Sequence, residues 1–171
     1  MHQIRRLSIR SENESDRNAI RLINEAAFAR GDEADLVDAL HAGGSALLSL
    51  VAELDSRPVG HLLFSRMSIE TKGGSIPAVA LAPIAVVPES QGKGVGSRLI
   101  QHGIRLLQQR SERIVIVLGH PSYYQRFGFS TEKARFLESP FPPDAFMALE
   151  LELGALEGVR GQVKYPPAFG L

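Results

Sequence analysis

The stretch Pro88-Glu89-Ser90-Gln91-Gly92-Lys93-Gly94-Val95-Gly96-Ser97-Arg98-Leu99 joins an apolar run suited to a strand to an amphipathic run suited to a helix. Glycines at 92, 94 and 96 remove side-chain bulk and allow backbone angles closed to other residues. Consecutive N–H groups can then converge on an anion at the start of the next helix, where the helix dipole also favours negative charge. The spacing therefore predicts a phosphate cradle between a strand and a helix. The bland alternative is a glycine-rich connection with no ligand.

Three nucleotide loops compete for such a turn. A Walker-type loop needs Gly-Lys followed by Ser or Thr to place a hydroxyl on magnesium, but Lys93 is followed by Gly94. A dinucleotide fingerprint needs a third glycine three residues after the second, and counting from Gly92 and Gly94 that position is Ser97. What remains is Gln91-x-x-Gly94-x-Gly96 after a strand ending in Val-Pro.

With 171 residues the chain fits one domain, 1–171, with a core over about 4–152 and a C-terminal hairpin or arm over 153–171. Lys plus Arg and Asp plus Glu number 19 each, so no net field draws the chain to nucleic acid or an anionic membrane. There is no cysteine, which excludes disulfides, thiolate zinc and a cysteine nucleophile within this chain. The five histidines show no ligand pair on a predicted helix, so no metal is expected. The N-terminus lacks the apolar core of a signal peptide and no apolar run is long enough to span a bilayer. A cytoplasmic protein is expected.

Periodicity predicts a strand over 4–10, a helix from Ser15-Asp16 to about 29, and a second helix whose start at Asp32 and Asp35 resembles a capping box and whose end is Gly43-Gly44. Strands over 47–55 and 59–70 form a hairpin turned at Asp55-Ser56-Arg57-Pro58. A nearly all-apolar strand over 78–87 leads into the glycine turn, and Pro83 within it, having no amide hydrogen, predicts a bulge or separation from one neighbour. A helix over about 97–110 crosses to a buried parallel strand over 113–118. A short helix ends at Gly128, Phe129 starts another strand, 146–153 supplies one more, and 158–169 reads as a terminal hairpin or arm.

The segment Tyr124-Gln125-Arg126-Phe127-Gly128-Phe129 supplies a second motif, Tyr-x-x-x-Gly-Phe. Together with Gln91-x-x-Gly94-x-Gly96 it resembles the GNAT superfamily of N-acetyltransferases, bacterial and single-domain. The resemblance covers about residues 4–152. It implies an α/β (α+β) fold, a mixed sheet of six to seven strands flanked by helices, with a splayed central strand pair. It further implies acetyl-CoA as co-substrate, with pantetheine along the backbone of Ile84, Ala85 and Val86, and pyrophosphate at Gln91, Gly92, Lys93, Gly94, Val95, Gly96 and Ser97. Lys93 and Arg98 are candidate auxiliary charges there, the alternative being two solvated basic side chains on a surface. Where the family has a longer Asn- and Ala-containing approach to the tyrosine, this chain has the compact Gly119-His120-Pro121-Ser122.

Aminolysis of a thioester needs a neutral amine, an oxyanion stabiliser and a proton for the departing thiolate. A phenol of reference pKa about 10 can protonate a thiol of about 8.5, and the resemblance assigns this role to Tyr124, with Tyr123 the fallback. The opposing reading is a packing tyrosine with a satisfied hydroxyl. Glu53, His61 and His120 are candidate bases, and His120 has the best position, at the carboxyl end of a parallel strand. The expected function is acetyl transfer from acetyl-CoA to a primary amine of a small molecule or protein in a ternary complex. The alternative is a non-catalytic acyl-CoA-binding or regulatory module on the same fold. Asp32 to Gly44 and Tyr165 to Phe169 are expected to border the acceptor, and a homodimer is left open.

Overall fold

The computed structural model describes residues 6–171. The part of the first predicted strand before residue 6 lies outside them. In chain order the elements are β1 (Leu7–Ser11), α1 (Arg17–Phe28), α2 (Asp32–Ala42), β2 (Ala46–Leu54), β3 (Arg57–Thr71), β4 (Gly74–Val86), α3 (Val95–Gln109), β5 (Ile114–Leu118), α4 (Pro121–Tyr124), β6 (Leu137–Glu138), β7 (Phe146–Glu150) and β8 (Gly161–Lys164). The eight strands join one sheet in the order β1-β2-β3-β4-β5-β7, with β8 paired to β3 and to β6. The β1–β2, β3–β8 and β5–β7 pairs are antiparallel, and β4–β5 and β6–β8 are parallel.

The chain divides into two compact units, one running up to Leu63 and including Pro83–Gly103, the other holding Phe64–Ala82 and Ile104–Leu171. In the first, α1 buries Ile20 and Ile23 while α2 buries Ala34, Val37 and Leu40, the stripes that a 3.6-residue period requires. Arg21 ties the two helices through Asp35 and Asp38, each at 2.8 Å. The capping box expected at the start of α2 is not formed, since Gly31 occupies the cap position and makes no side-chain cap bond. The hairpin between β2 and β3 turns on two residues, Asp55 and Ser56, both with positive φ. That geometry matches the twist of the strands, so β3 begins at Arg57 and takes in Pro58.

In the second unit Ile69, Ala78, Ala80, Ile114, Ile116, Ala148 and Val163 form a continuous apolar cluster. The β-branched run of β5 lies buried between β4 and β7, as a period-free apolar strand should. Two expectations change here. Phe129 opens no strand, and only an isolated bridge joins Ser130 to Ala148. Nor is the C-terminus a hairpin. Its strand β8 instead pairs with Ser68–Glu70 of β3 and with β6, because the 15-residue β3 outruns the 9-residue β2 and offers backbone groups on that side.

Gly161 makes that edge pairing possible. A Cβ at this position would lie 2.2 Å from the carbonyl oxygen of Glu70, which is fixed backbone. Gly161→Ala is therefore expected to cost roughly 1–3 kcal/mol, as overpacking does. Thermal unfolding would show this as a lower Tm, and an unchanged Tm would mean that β8 does not dock as described.

Candidate active site

Strand β4 delivers the chain to the glycine turn. Its ladder with β5 consists of Val79↔Val115 and Ala80↔Ile116, and Pro83, unable to donate, follows beyond that ladder. The strand itself continues unbroken to Val86, so the proline, three residues past the end of the ladder with β5, does not interrupt the strand. Ala85 is buried, and Ile84 and Val86 are half-buried. Val87 then donates to the carbonyl of Val59 at 2.9 Å.

A short 3-10 turn, Pro88–Ser90, leads into the loop. Gly92 and Gly94 have φ of 73° and 81°, a left-handed conformation that glycine adopts without steric cost. Gly96 is not left-handed. It lies with Val95 and Ser97 in the first turn of α3, whose start precedes the expected one. The carbonyl of Gly94 accepts a helical bond from Arg98 at 3.1 Å, which places the amides of Val95, Gly96 and Ser97 in the first turn of the helix. Gln91, Gly92, Lys93 and Gly94 are exposed. The Gln91 side chain turns back and donates from Nε2 to the carbonyl of Val86 at 2.9 Å, tying the loop to the last residue of β4. Sequence pattern shows Gln91 as a motif letter; this contact needs the fold.

Two of the candidate bases lie in the same unit, inside a polar cluster beside α1. His61 is fully buried. Asn24 Nδ2 lies 3.0 Å from the carbonyl of Ile20 and 3.3 Å from His61 Nδ1. An amide nitrogen can only donate, so Nδ1 accepts and Nε2–H donates to Ser49 Oγ at 2.9 Å. Burial, reinforced by His41, pushes the imidazole down to about 3. A ring with so acidic a conjugate acid cannot hold a proton taken from an ammonium. Glu53 is paired with Arg10, which also binds Asp16 at 2.7 and 2.8 Å. The Arg10 bonds hold Asp16 down to about 2 against the opposing effect of burial.

The other unit carries the second motif. The N–H of Gly119 donates to Ala145 at 3.0 Å, extending the β5–β7 register in which Leu118 faces Phe146. His120 is exposed, and its carbonyl accepts from the amides of Tyr123 and Tyr124. Pro121 opens α4, and Gly128, at φ 96°, closes the following 3-10 turn. Tyr124 is 8% exposed and packs edge-on against Tyr123 and Phe129, with ring centroids 5.0 and 5.8 Å away. Burial, with a smaller contribution from Tyr123, pushes the phenol up to about 12.

A family model described as an acetyltransferase (GNAT) domain matches residues 8–131. The chain belongs to the GNAT acetyltransferase family. This GNAT chain is 32% identical over 164 residues to the uncharacterized N-acetyltransferase YhbS of Escherichia coli K12, covering 94% of the chain and 97% of that relative. It is 45% identical over 117 residues to the uncharacterized N-acetyltransferase YjhQ of the same strain, and that match spans 67% of the chain and 65% of the relative. The crystal structure of YhbS in complex with CoA covers 100% of the chain and 96% of its own, at 31% identity and a TM-score of 0.91. A GNAT family acetyltransferase from Brucella melitensis in complex with acetyl-CoA covers 96% and 98%, at 34% identity and a TM-score of 0.81. Among the described residues no acidic, histidine or cysteine group could hold a metal ion, and no helix is long and apolar enough to cross a membrane.

The buried histidine makes acid stability a test of this geometry. His61 has a folded pKa of about 3 against an ordinary 6.5, so below pH 6.5 the unfolded chain binds a proton that the folded one refuses. Stability is then lost as pH falls from 6.5 towards 3, by up to about 1.4 kcal/mol per pH unit. His61→Gln is expected to flatten the dependence of Tm on pH over that window. Parallel curves for the two proteins would mean that His61 is protonated in the fold.

Proposed function

We propose that this chain transfers an acetyl group from acetyl-CoA to a primary amine by direct attack in a ternary complex. The observation that carries the reading is the left-handed pair Gly92 and Gly94 at the start of the 15-residue helix α3, on a chain whose relatives at 31% and 34% identity hold CoA and acetyl-CoA. The amides of Gly92 to Ser97 would hold the pyrophosphate at the positive end of the helix. Lys93 and Arg98 are exposed beside it and add positive charge. The end of β4, Ile84 to Val86, would pair its backbone with pantetheine as with an added strand.

Acetyl-CoA supplies an acyl group activated as a thioester. The amine nitrogen forms a bond to the carbonyl carbon, the carbon–sulfur bond breaks, and the amine loses a proton to a base while the thiolate gains one. A backbone N–H at Ile84 or Ala85 would polarise the carbonyl, a kind of contact worth about 2.7–4 kcal/mol of barrier. Tyr124 would supply the thiolate's proton. At about 12 its phenol stays protonated at any physiological pH, and the burial that raises the phenol also raises a neighbouring thiol, offsetting part of the phenol's rise. His120, exposed at the end of β5, is the base that this reading retains.

The C-terminal residues support an acceptor role. Tyr165 packs edge-on to Phe141 at 5.6 Å and against Phe169 at 5.0 Å. Phe141, with Leu137, Pro143 and Phe146, lines a cavity of about 390 Å³. A panel of amines assayed by release of free thiol from acetyl-CoA would identify the acceptor. Binding without turnover on any amine would favour a sensor module.

Two substitutions test the assignment. Gly94→Glu places bulk, strain and negative charge at the start of α3, and calorimetry is expected to show acetyl-CoA binding lost in a folded protein; unchanged affinity would remove the loop assignment. Tyr124→Phe keeps the ring and its packing, so Tm and acetyl-CoA affinity should hold while kcat falls by about 10²–10⁴. The phenol must be protonated and titrates near 12, so wild-type kcat should show no descending limb from this group below about pH 11. Full activity in the phenylalanine variant would shift the donor to Tyr123, His120 or solvent.

A further inference from the structure

The β-branched run of β5 ends on a glycine just before the tyrosine segment, and torsion angles do not account for it. Gly92, Gly94 and Gly128 have positive φ, whereas Gly119 does not, so the backbone here is open to alanine. Space is what excludes it. A Cβ on Gly119 would lie 2.4 Å from Cε2 of Tyr124, 2.9 Å from Cδ2 and 3.4 Å from Cζ. These atoms belong to the body of a rigid ring, so no flexible tip can swing aside.

Neither side of the contact is free to retreat. Gly119 is held by its bond to Ala145 at 3.0 Å, and the amide of Tyr124 by its bond to His120 at 3.1 Å. The ring is fixed laterally by Tyr123 and Phe129 at interplanar angles of 87° and 79°. We propose that Gly119 is a positioning residue for Tyr124: its missing side chain is the seat that sets where the phenol hydroxyl points, a role in the reaction that rests on Tyr124 being the proton donor. The compact Gly119-His120-Pro121-Ser122 approach fits this arrangement, because so short a turn folds the ring back onto the strand end, where only glycine leaves room.

Moving the ring from 2.4 Å to an ordinary contact of about 3.4 Å requires a shift of about 1 Å, and a misplacement of that size costs on the order of 10²-fold in rate. The test uses Gly119→Ala, Tyr124→Phe and the double variant, with kcat and acetyl-CoA KM measured for each and a crystal structure of Gly119→Ala. Expected are a displaced Tyr124 ring, kcat lower by about 10- to 100-fold with KM within about two-fold of wild type, and no further fall when Gly119→Ala is added to Tyr124→Phe. An undisplaced ring, or the same proportional fall with and without the hydroxyl, would overturn the proposal. A displaced ring together with full activity in Tyr124→Phe would establish the seat and remove the proton-donor reading. Where Gly119→Ala fails to fold, it is combined with Tyr124→Leu. Recovery of folding then supports the steric seat, and continued failure overturns it.

Discussion

Strand β4 carries two duties that one backbone must satisfy together. Its Val79 and Ala80 are laddered to β5, which fixes the centre of the sheet, and its last residues lead straight into the glycine turn. Pro83 lies between the two, and without an amide hydrogen it cannot extend the parallel ladder towards the turn. The strand stays extended through Val86, and Gln91 closes on its last carbonyl. The start of α3, and with it the direction of its leading amides, is thereby tied to the sheet.

The glycines divide by physical cause. Gly92, Gly94 and Gly128 sit at positive φ, where a Cβ would be strained whatever the space around it. Gly119 and Gly161 need no special torsion. Tyr124 fills the place of a side chain at one, and the Glu70 carbonyl at the other. Alanine at the first kind would strain the backbone, whereas at the second it would displace a neighbour.

Polar burial is concentrated in the unit that holds the loop. Arg10, Asp16 and Glu53 form one cluster, and Asn24, His61 and Ser49 another. Each buried group is held in one ionisation state, with Asp16 charged by its bonds to Arg10 and His61 neutral by desolvation. Such groups specify how α1 lies against β1, β2 and β3.

The sequence by itself determined most of the strands and helices, the glycine turn and the family, because periodicity, glycine spacing and the Tyr-x-x-x-Gly-Phe motif act over a few residues. It also singled out Pro83, whose missing amide hydrogen has the same consequence in any sheet. Non-local pairing was decided only by the tertiary structure. The docking of β8 on Ser68–Glu70 depends on which strand leaves backbone groups free. The reduction of the predicted strand at Phe129 to a single bridge depends on where β7 lies. His61 reads as a candidate base on an apolar strand face, and enclosure by α1 and β2 makes it a neutral, hydrogen-bonded residue. Gly119 reads as a plain strand terminator, and only the position of the Tyr124 ring gives its missing side chain a purpose. In each case the deciding term is a contact between residues distant in the chain or a desolvation that no local pattern encodes.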